Sequence, residues 1–185
     1  HGMGNSIILD PYDVYRMTTG MGKSMQELLA ASVELNVVDG VILPNLKMQG
    51  AEEACAYLDG EGRCSIHPYR PGICRLFPLG RYYENGGFSY FLQTGECAKE
   101  NRSKIKVSKW IDTPDLTRNQ QFTLQWHDLL HAMEERLTGE DEGKQREENL
   151  LLLRLFYLLP YEGTIDFYTQ FTERMEHWNG QNGQI

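Results

Sequence analysis

The chain has 185 residues and 41% hydrophobic content, enough for one packed domain of ordinary size or one domain with a helical extension. Its formal net charge of −8 argues against a general nucleic-acid binder, which would need a basic face for the phosphates. The longest apolar block, Leu150–Leu159, is broken by Arg154 and falls short of the roughly 18 apolar residues that cross a bilayer.

The first residue is His rather than Met, so the chain is expected to start inside a longer polypeptide. No signal-peptide pattern is visible, and the cytoplasm is the default location. Charge is unevenly spread. Residues 61–110 carry nine Lys/Arg against four Asp/Glu, and residues 120–185 carry five against twelve. All four cysteines (55, 64, 74 and 97) fall in or beside the basic stretch.

In chain order, "LDPYDVYRMTTG" predicts a short helix, with Asp10 as N-cap, Pro11 at the first helical position, Asp13 favouring the helix dipole and Gly20 as the stop. "GKSMQELLAASVEL" predicts a second, with Ser24 and Glu27 as a capping box. Val37–Leu46 reads as extended. "CAYLDGEGRCSI" predicts a hairpin turning at Asp59–Gly62, and "GRYYENGGFSYFLQ" a second around Asn85-Gly86-Gly87 with aromatic arms expected in the core. Residues 119–137 have a helical period with Phe122, Trp126, Leu129 and Met133 on one face. Gly139–Arg146 reads as a charged break, followed by helices over Glu147–Leu159 and Thr164–Trp178 and a frayed tail.

The cysteines lie at spacings Cys-x8-Cys-x9-Cys-x22-Cys, without the tight Cys-x2-Cys of a zinc ribbon. Three readings are open. Each cysteine is a small hydrophobe in a core, or the four form two disulfides, or they ligate a metal, as an all-thiolate zinc site or as iron–sulfur ligands. The basic surroundings support metal. Four thiolates leave a net negative site, which Arg63, Arg70, Arg75 and Arg81 would offset while favouring the thiolate form. Arg70 and Arg75, either side of Pro71, are the two expected to point inward.

"CAYLDGEGRCSIHPYRPGICRLFPLG", together with the opening "IILDPYDVYRM", resembles the CxxCxxCC family of zinc- or iron-chelating cysteine-cluster proteins. The likeness covers roughly residues 4–100 and rests on Asp13, Arg16, Cys55, Cys64, Arg70-Pro71, Cys74-Arg75, Pro78 and Cys97. It implies metal binding, as zinc or as an iron–sulfur cluster, and no settled reaction. A bacterial flagellin lysine methylase carries a related cluster, which makes a redox or methylation-linked role one expectation. The family's Cys-x2-Cys-x2-Cys-Cys block would sit upstream of His1, leaving the metal site incomplete in the residues here. His67 stands where the family usually has an aromatic residue, as a surface replacement or an added nitrogen ligand.

Other motifs carry less. His127 and His131 in "HDLLH" are one helical turn apart, but Asp128 replaces the glutamate of the zinc-protease helix and no third ligand follows by spacing, so exposed or core histidines are the better reading. "TTGMGKSMQ" lacks the spacing of a phosphate loop. Tyr82, Tyr83, Phe88, Tyr90 and Phe91 could stack bases, against the net charge. No nucleophile–base pair can be read, so no catalytic residue is assigned.

The expectation is therefore an α+β protein. A small cysteine-cluster unit (1–110) would bind metal through Cys55, Cys64, Cys74 and Cys97, with Arg70 and Arg75 contacting the cluster. A helical extension (111–185) would pack on it, its acidic helices serving as a scaffold or a protein-partner surface. A zinc-stabilised binding module or a metal carrier without catalytic activity is the alternative. Neither nucleic acid nor a membrane is expected as a partner.

Overall fold

A short helix capped at both ends opens the chain. In a computed structural model, which describes residues 7–95 and 104–182, the Asp10 side chain accepts the Asp13 N–H at 2.8 Å and Asp13 returns the bond to the Asp10 N–H at 3.2 Å. This reciprocal cap starts α1 (Pro11–Met21). The helix runs past the predicted stop at Gly20 and ends at Gly22, whose φ of 63° provides the left-handed turn-off. Gly20 serves packing instead, as described below. The Ser24–Glu27 capping box starts α2 (Met25–Ala31) as predicted.

The helix ends earlier than its apolar pattern suggested because the β-branched Val33 opens a strand. β1 (Val33–Val38) and β2 (Val41–Leu46) form an antiparallel hairpin around Asp39-Gly40, in place of one extended run. The backbone of Ile7–Leu9 adds to its free edge, with Leu9 N–H donating to Pro44 and Leu46 N–H to Ile7. Asn149 pins the turn from across the core, accepting from Ile42 N–H at 2.6 Å and donating to the Gly40 carbonyl at 3.2 Å.

β3 (Met48–Gln49) pairs with β4 (Ala54–Cys55), and α3 spans Gly72–Leu76. β5 (Leu79–Glu84) and β6 (Gly87–Leu92) form the predicted hairpin around Asn85-Gly86. Its aromatic arms are not core, correcting the expectation: Tyr82 is 60% exposed and Phe91 48%. A two-stranded sheet has two faces, and only part of one finds a neighbour here, where Tyr83 stacks on His127 at 3.8 Å between ring centres.

After the short α4 (Val107–Ile111), α5 (Leu116–Leu137) buries Phe122, Trp126, Leu129 and Met133 on the predicted face. α6 begins at Glu142, inside the stretch read as a break, because the Asp141 side chain caps it by accepting from Gly143 and Lys144 N–H. It spans Glu142–Leu153 and passes into a π-helical turn (Arg154–Leu158). Arg174 of α7 (Phe167–Asn182) closes that turn by donating to the carbonyls of Leu155, Leu159 and Pro160. The chain is thus α+β, with seven α-helices and three small antiparallel sheets among the described residues.

The core takes Leu9, Tyr12, Val14 and Met17 from the first part of the chain, Leu43 and Leu46 from β2, and Phe122, Trp126, Phe156, Tyr157, Phe167 and Phe171 from the helices. The buried Tyr157 hydroxyl is satisfied by the Leu9 carbonyl at 3.0 Å. No helix among the described residues is long and apolar enough to cross a membrane.

Candidate metal centre

Three of the four cysteines sit on one run of local turns. Cys55 is carried at the end of β4, paired opposite Met48. The chain then reverses at Asp59, whose side chain accepts from both Glu61 and Arg63 N–H at 2.9 Å, so that Leu58 bridges to Cys64. The predicted hairpin is therefore present only as this one bridge. A 3-10 turn (His67–Tyr69) and Pro71 turn the chain again into α3, where Cys74 sits. Cys97 lies outside the described residues.

One face of α1 holds this loop. The Asp13 carboxylate accepts the Gly72 N–H at 2.7 Å, at the entry to α3. Arg16 donates to the Pro68 carbonyl. Gly20 receives the Tyr69 ring so closely that a β-carbon there would stand 2.3 Å from it. Positions 13, 16 and 20 recur at helical spacing, so a single face meets the loop at three points. Tyr57 adds a fourth tie, its hydroxyl 2.5 Å from Ser32 Oγ at the end of α2.

The thiols feel one another. Burial first, then the charges of Asp13, Cys55 and Cys64, push the Cys74 thiol up to about 12, against the opposing pull of Arg70. Burial also raises Cys64, with Cys55 adding to the shift and the Ile66 N–H and Arg70 opposing it. Tyr57 is raised chiefly by burial, with contributions from Cys55 and Cys64. Cys55, Cys64 and Cys74 are all partly exposed, and none of the three is in a disulfide.

The arginines divide. Arg70 is half-buried and is the guanidinium that acts on both Cys64 and Cys74. Arg75 is buried at 4% exposure, with its guanidinium 6.0 Å from the Tyr12 ring centre. Nε of Arg70 and Nε and Nη1 of Arg75 are buried without a hydrogen-bond partner. Arg81 reaches back towards Asp10 and Asp13 and lies over Phe88. Arg63 points to solvent, paired with Glu61.

Residues 6–106, more than half of the chain, match the CxxCxxCC family model, described as "Putative zinc- or iron-chelating domain". The chain belongs to the CxxCxxCC family. No curated protein matches it, and no solved structure does.

Cysteine thiols are soft donors of the kind zinc and iron take, and this CxxCxxCC member carries three free ones among the described residues. Arg70 acts on both Cys64 and Cys74, and its buried Nε lacks an acceptor, so positive charge lies near two of these soft ligands. Among the described residues no three His, Cys, Asp or Glu side chains stand close enough to hold a metal. Bound there, zinc would cross-link the loop, and an iron–sulfur cluster would add a redox couple. His67 is exposed at the start of the 3-10 turn. His127 and His131 lie on α5, with α5 packed against β2 and with Tyr83 on His127.

Sequence reading gave Asp13 only a local role at the helix dipole and gave Arg16 none. Their partners, Gly72 and Pro68, are 59 and 52 residues away, and no local pattern encodes such a pairing.

Proposed function

We propose that Cys55, Cys64, Cys74 and Cys97 bind one sulfur-ligated metal centre in the cytoplasm, an iron–sulfur cluster in preference to zinc, with Arg70 and Arg75 offsetting its negative charge. Residues 1–110 make up the metal-binding unit and 111–185 the helices packed on it. The observation that carries this reading is the placement of Cys55, Cys64 and Cys74 on one run of turns tied to α1 through Asp13 and Gly72, with Arg70 acting on Cys64 and Cys74. The preference for a cluster draws on Arg70, whose buried Nε has no acceptor and which acts on Cys64 and Cys74, since hydrogen bonds to sulfur tune the potentials of iron–sulfur clusters.

A second reading, reversible zinc carriage or a zinc-stabilised binding module, draws on the partial exposure of all three cysteines, which leaves them open to exchange. Anaerobic purification followed by metal and acid-labile sulfide analysis and a visible spectrum separates the two. Iron, sulfide and a visible absorption that bleaches on reduction are expected. A colourless protein with stoichiometric zinc would replace the cluster by the second reading. A protein with neither metal, and with all four cysteines paired as disulfides, would end both.

A further inference from the structure

Away from the cysteines, α5 presents two imidazoles on one exposed face. His127 and His131 are four residues apart, with ring centres 6.3 Å apart and ring planes inclined by 30°. Two imidazoles that share one tetrahedral ion through Nε2, at a metal–nitrogen distance of about 2.0–2.1 Å, have centres roughly 5 Å apart. A small rotation of the His131 side chain, which is 59% exposed, closes that difference.

The His127 ring is held from behind by a hydrogen bond, and the His131 ring has a carboxylate nearby. His127 Nδ1 lies 3.2 Å from the Asp128 carboxylate, and His131 Nδ1 lies 3.6 Å from that of Glu135. The carboxylate hydrogen-bonded to His127 Nδ1 favours the proton there and leaves that ring's Nε2 lone pair free. This is the outer-shell arrangement that fixes the tautomer of metal-bound histidines and raises their basicity. Tyr83 of β5, stacked on His127 at 3.8 Å and 9° between planes, holds that ring against rotation. Both histidines line a cleft of about 200 Å³ whose wall also carries Asp39, from the β1–β2 turn, and Glu134.

We propose that His127 and His131 form a second, two-imidazole site for a divalent transition metal of the class that favours nitrogen ligands, such as Zn²⁺ or Ni²⁺, with water in the remaining positions. It is distinct from the cysteine centre in residues, in ligand type and in place. Imidazole sites of this kind accept zinc and nickel.

The test is a Zn²⁺ titration of the intact chain, followed by long-range 1H–15N spectra of the histidine rings, with thiol reactivity read in parallel. The Nε2 signals of His127 and His131 should move together, with their Nδ1–H signals retained and those of His67 and His177 unchanged. His131→Gln should abolish the His127 shift at the same zinc concentration and leave thiol occupancy as it was. Asp128→Asn should weaken zinc binding at this site about tenfold while both rings still respond. Rings that stay still at zinc levels that occupy the thiols would overturn the site. So would a His127 response that survives His131→Gln, because it would come from a single surface imidazole.

Discussion

Asp13 of the first helix and Gly72 at the start of α3 are joined by a 2.7 Å hydrogen bond across 59 residues of chain. The same carboxylate accepts the Asp10 N–H, so one buried side chain both begins α1 and holds the cysteine loop against it. Asp13→Ala leaves the Gly72 and Asp10 N–H groups without that acceptor and should cost about 2–4 kcal/mol. Asp13→Asn retains one acceptor oxygen and should cost less. Urea denaturation of the metal-free protein checks both, and an alanine variant within about 0.5 kcal/mol of the parent would show that the bond is dispensable.

Gly20 offers a sharper case because two forces oppose each other there. Alanine within a helix is worth about 1 kcal/mol over glycine, yet its β-carbon would stand 2.3 Å from the Tyr69 ring. Overlap with the body of the Tyr69 ring should win, so Gly20→Ala is expected to destabilise by about 1–3 kcal/mol. In a Tyr69→Ala background the same change should become neutral or stabilising. Thermal melts of the four proteins give the coupling directly.

Acid should strengthen the metal-free fold before it weakens it. Burial raises the Asp10 carboxyl from 3.8 to about 6, against the pull of the Asp13 N–H and Arg81. Burial and then the Asp10 charge raise Asp13 well above the ordinary range. Between pH 4 and 6 the folded chain therefore binds more protons at this pair than the unfolded chain. Stability from the pair falls as pH rises through that window, by on the order of 1–3 kcal/mol. Asp10→Ser keeps an N-cap and removes that carboxyl. Denaturation at pH 5 and pH 7 should show a smaller acid gain in the variant than in the parent.

How much of this was readable beforehand differs by element. Caps are local, so Asp10 with Asp13 and Ser24 with Glu27 marked their helices correctly. Turn chemistry marked the Asn85-Gly86 hairpin. Glycine was ambiguous: Gly20 read as a stop because glycine ends helices, whereas its smallness is used to seat Tyr69 and Gly22 does the ending. Charge misled in "GEDEGKQR", where Asp141 is a cap and the later Glu148 is buried, held by Arg136 at 2.6 Å. The family motif marked the cysteines and Asp13, but which groups meet depends on turns and pairings tens of residues apart. The side of the aromatic hairpin that faces solvent was equally invisible, since alternation defines two faces without saying which is covered.

Metal uptake should be steeply pH-dependent. Cys64 and Cys74, whose thiols burial raises, release protons when a metal takes their place. Zinc affinity measured by competition should rise at least tenfold per pH unit between about pH 6 and 8, one factor of ten for each displaced proton. Calorimetry in buffers of different ionisation enthalpy should report the matching proton release. Cys74→Ser should lower both the affinity and the number of protons released.

α1 is a party wall. Tyr12, Val14 and Met17 face the aromatic interior on one side, while Asp13, Arg16 and Gly20 meet the cysteine loop on the other. Neither tenant can move out without taking the wall down. Loss of near-ultraviolet ellipticity from the interior and the rise in thiol reactivity of the loop should therefore fall on one melting curve. A ligand that tightens only the loop would then raise the temperature at which Trp126 and Phe156, on the far side of the helix, lose their packing.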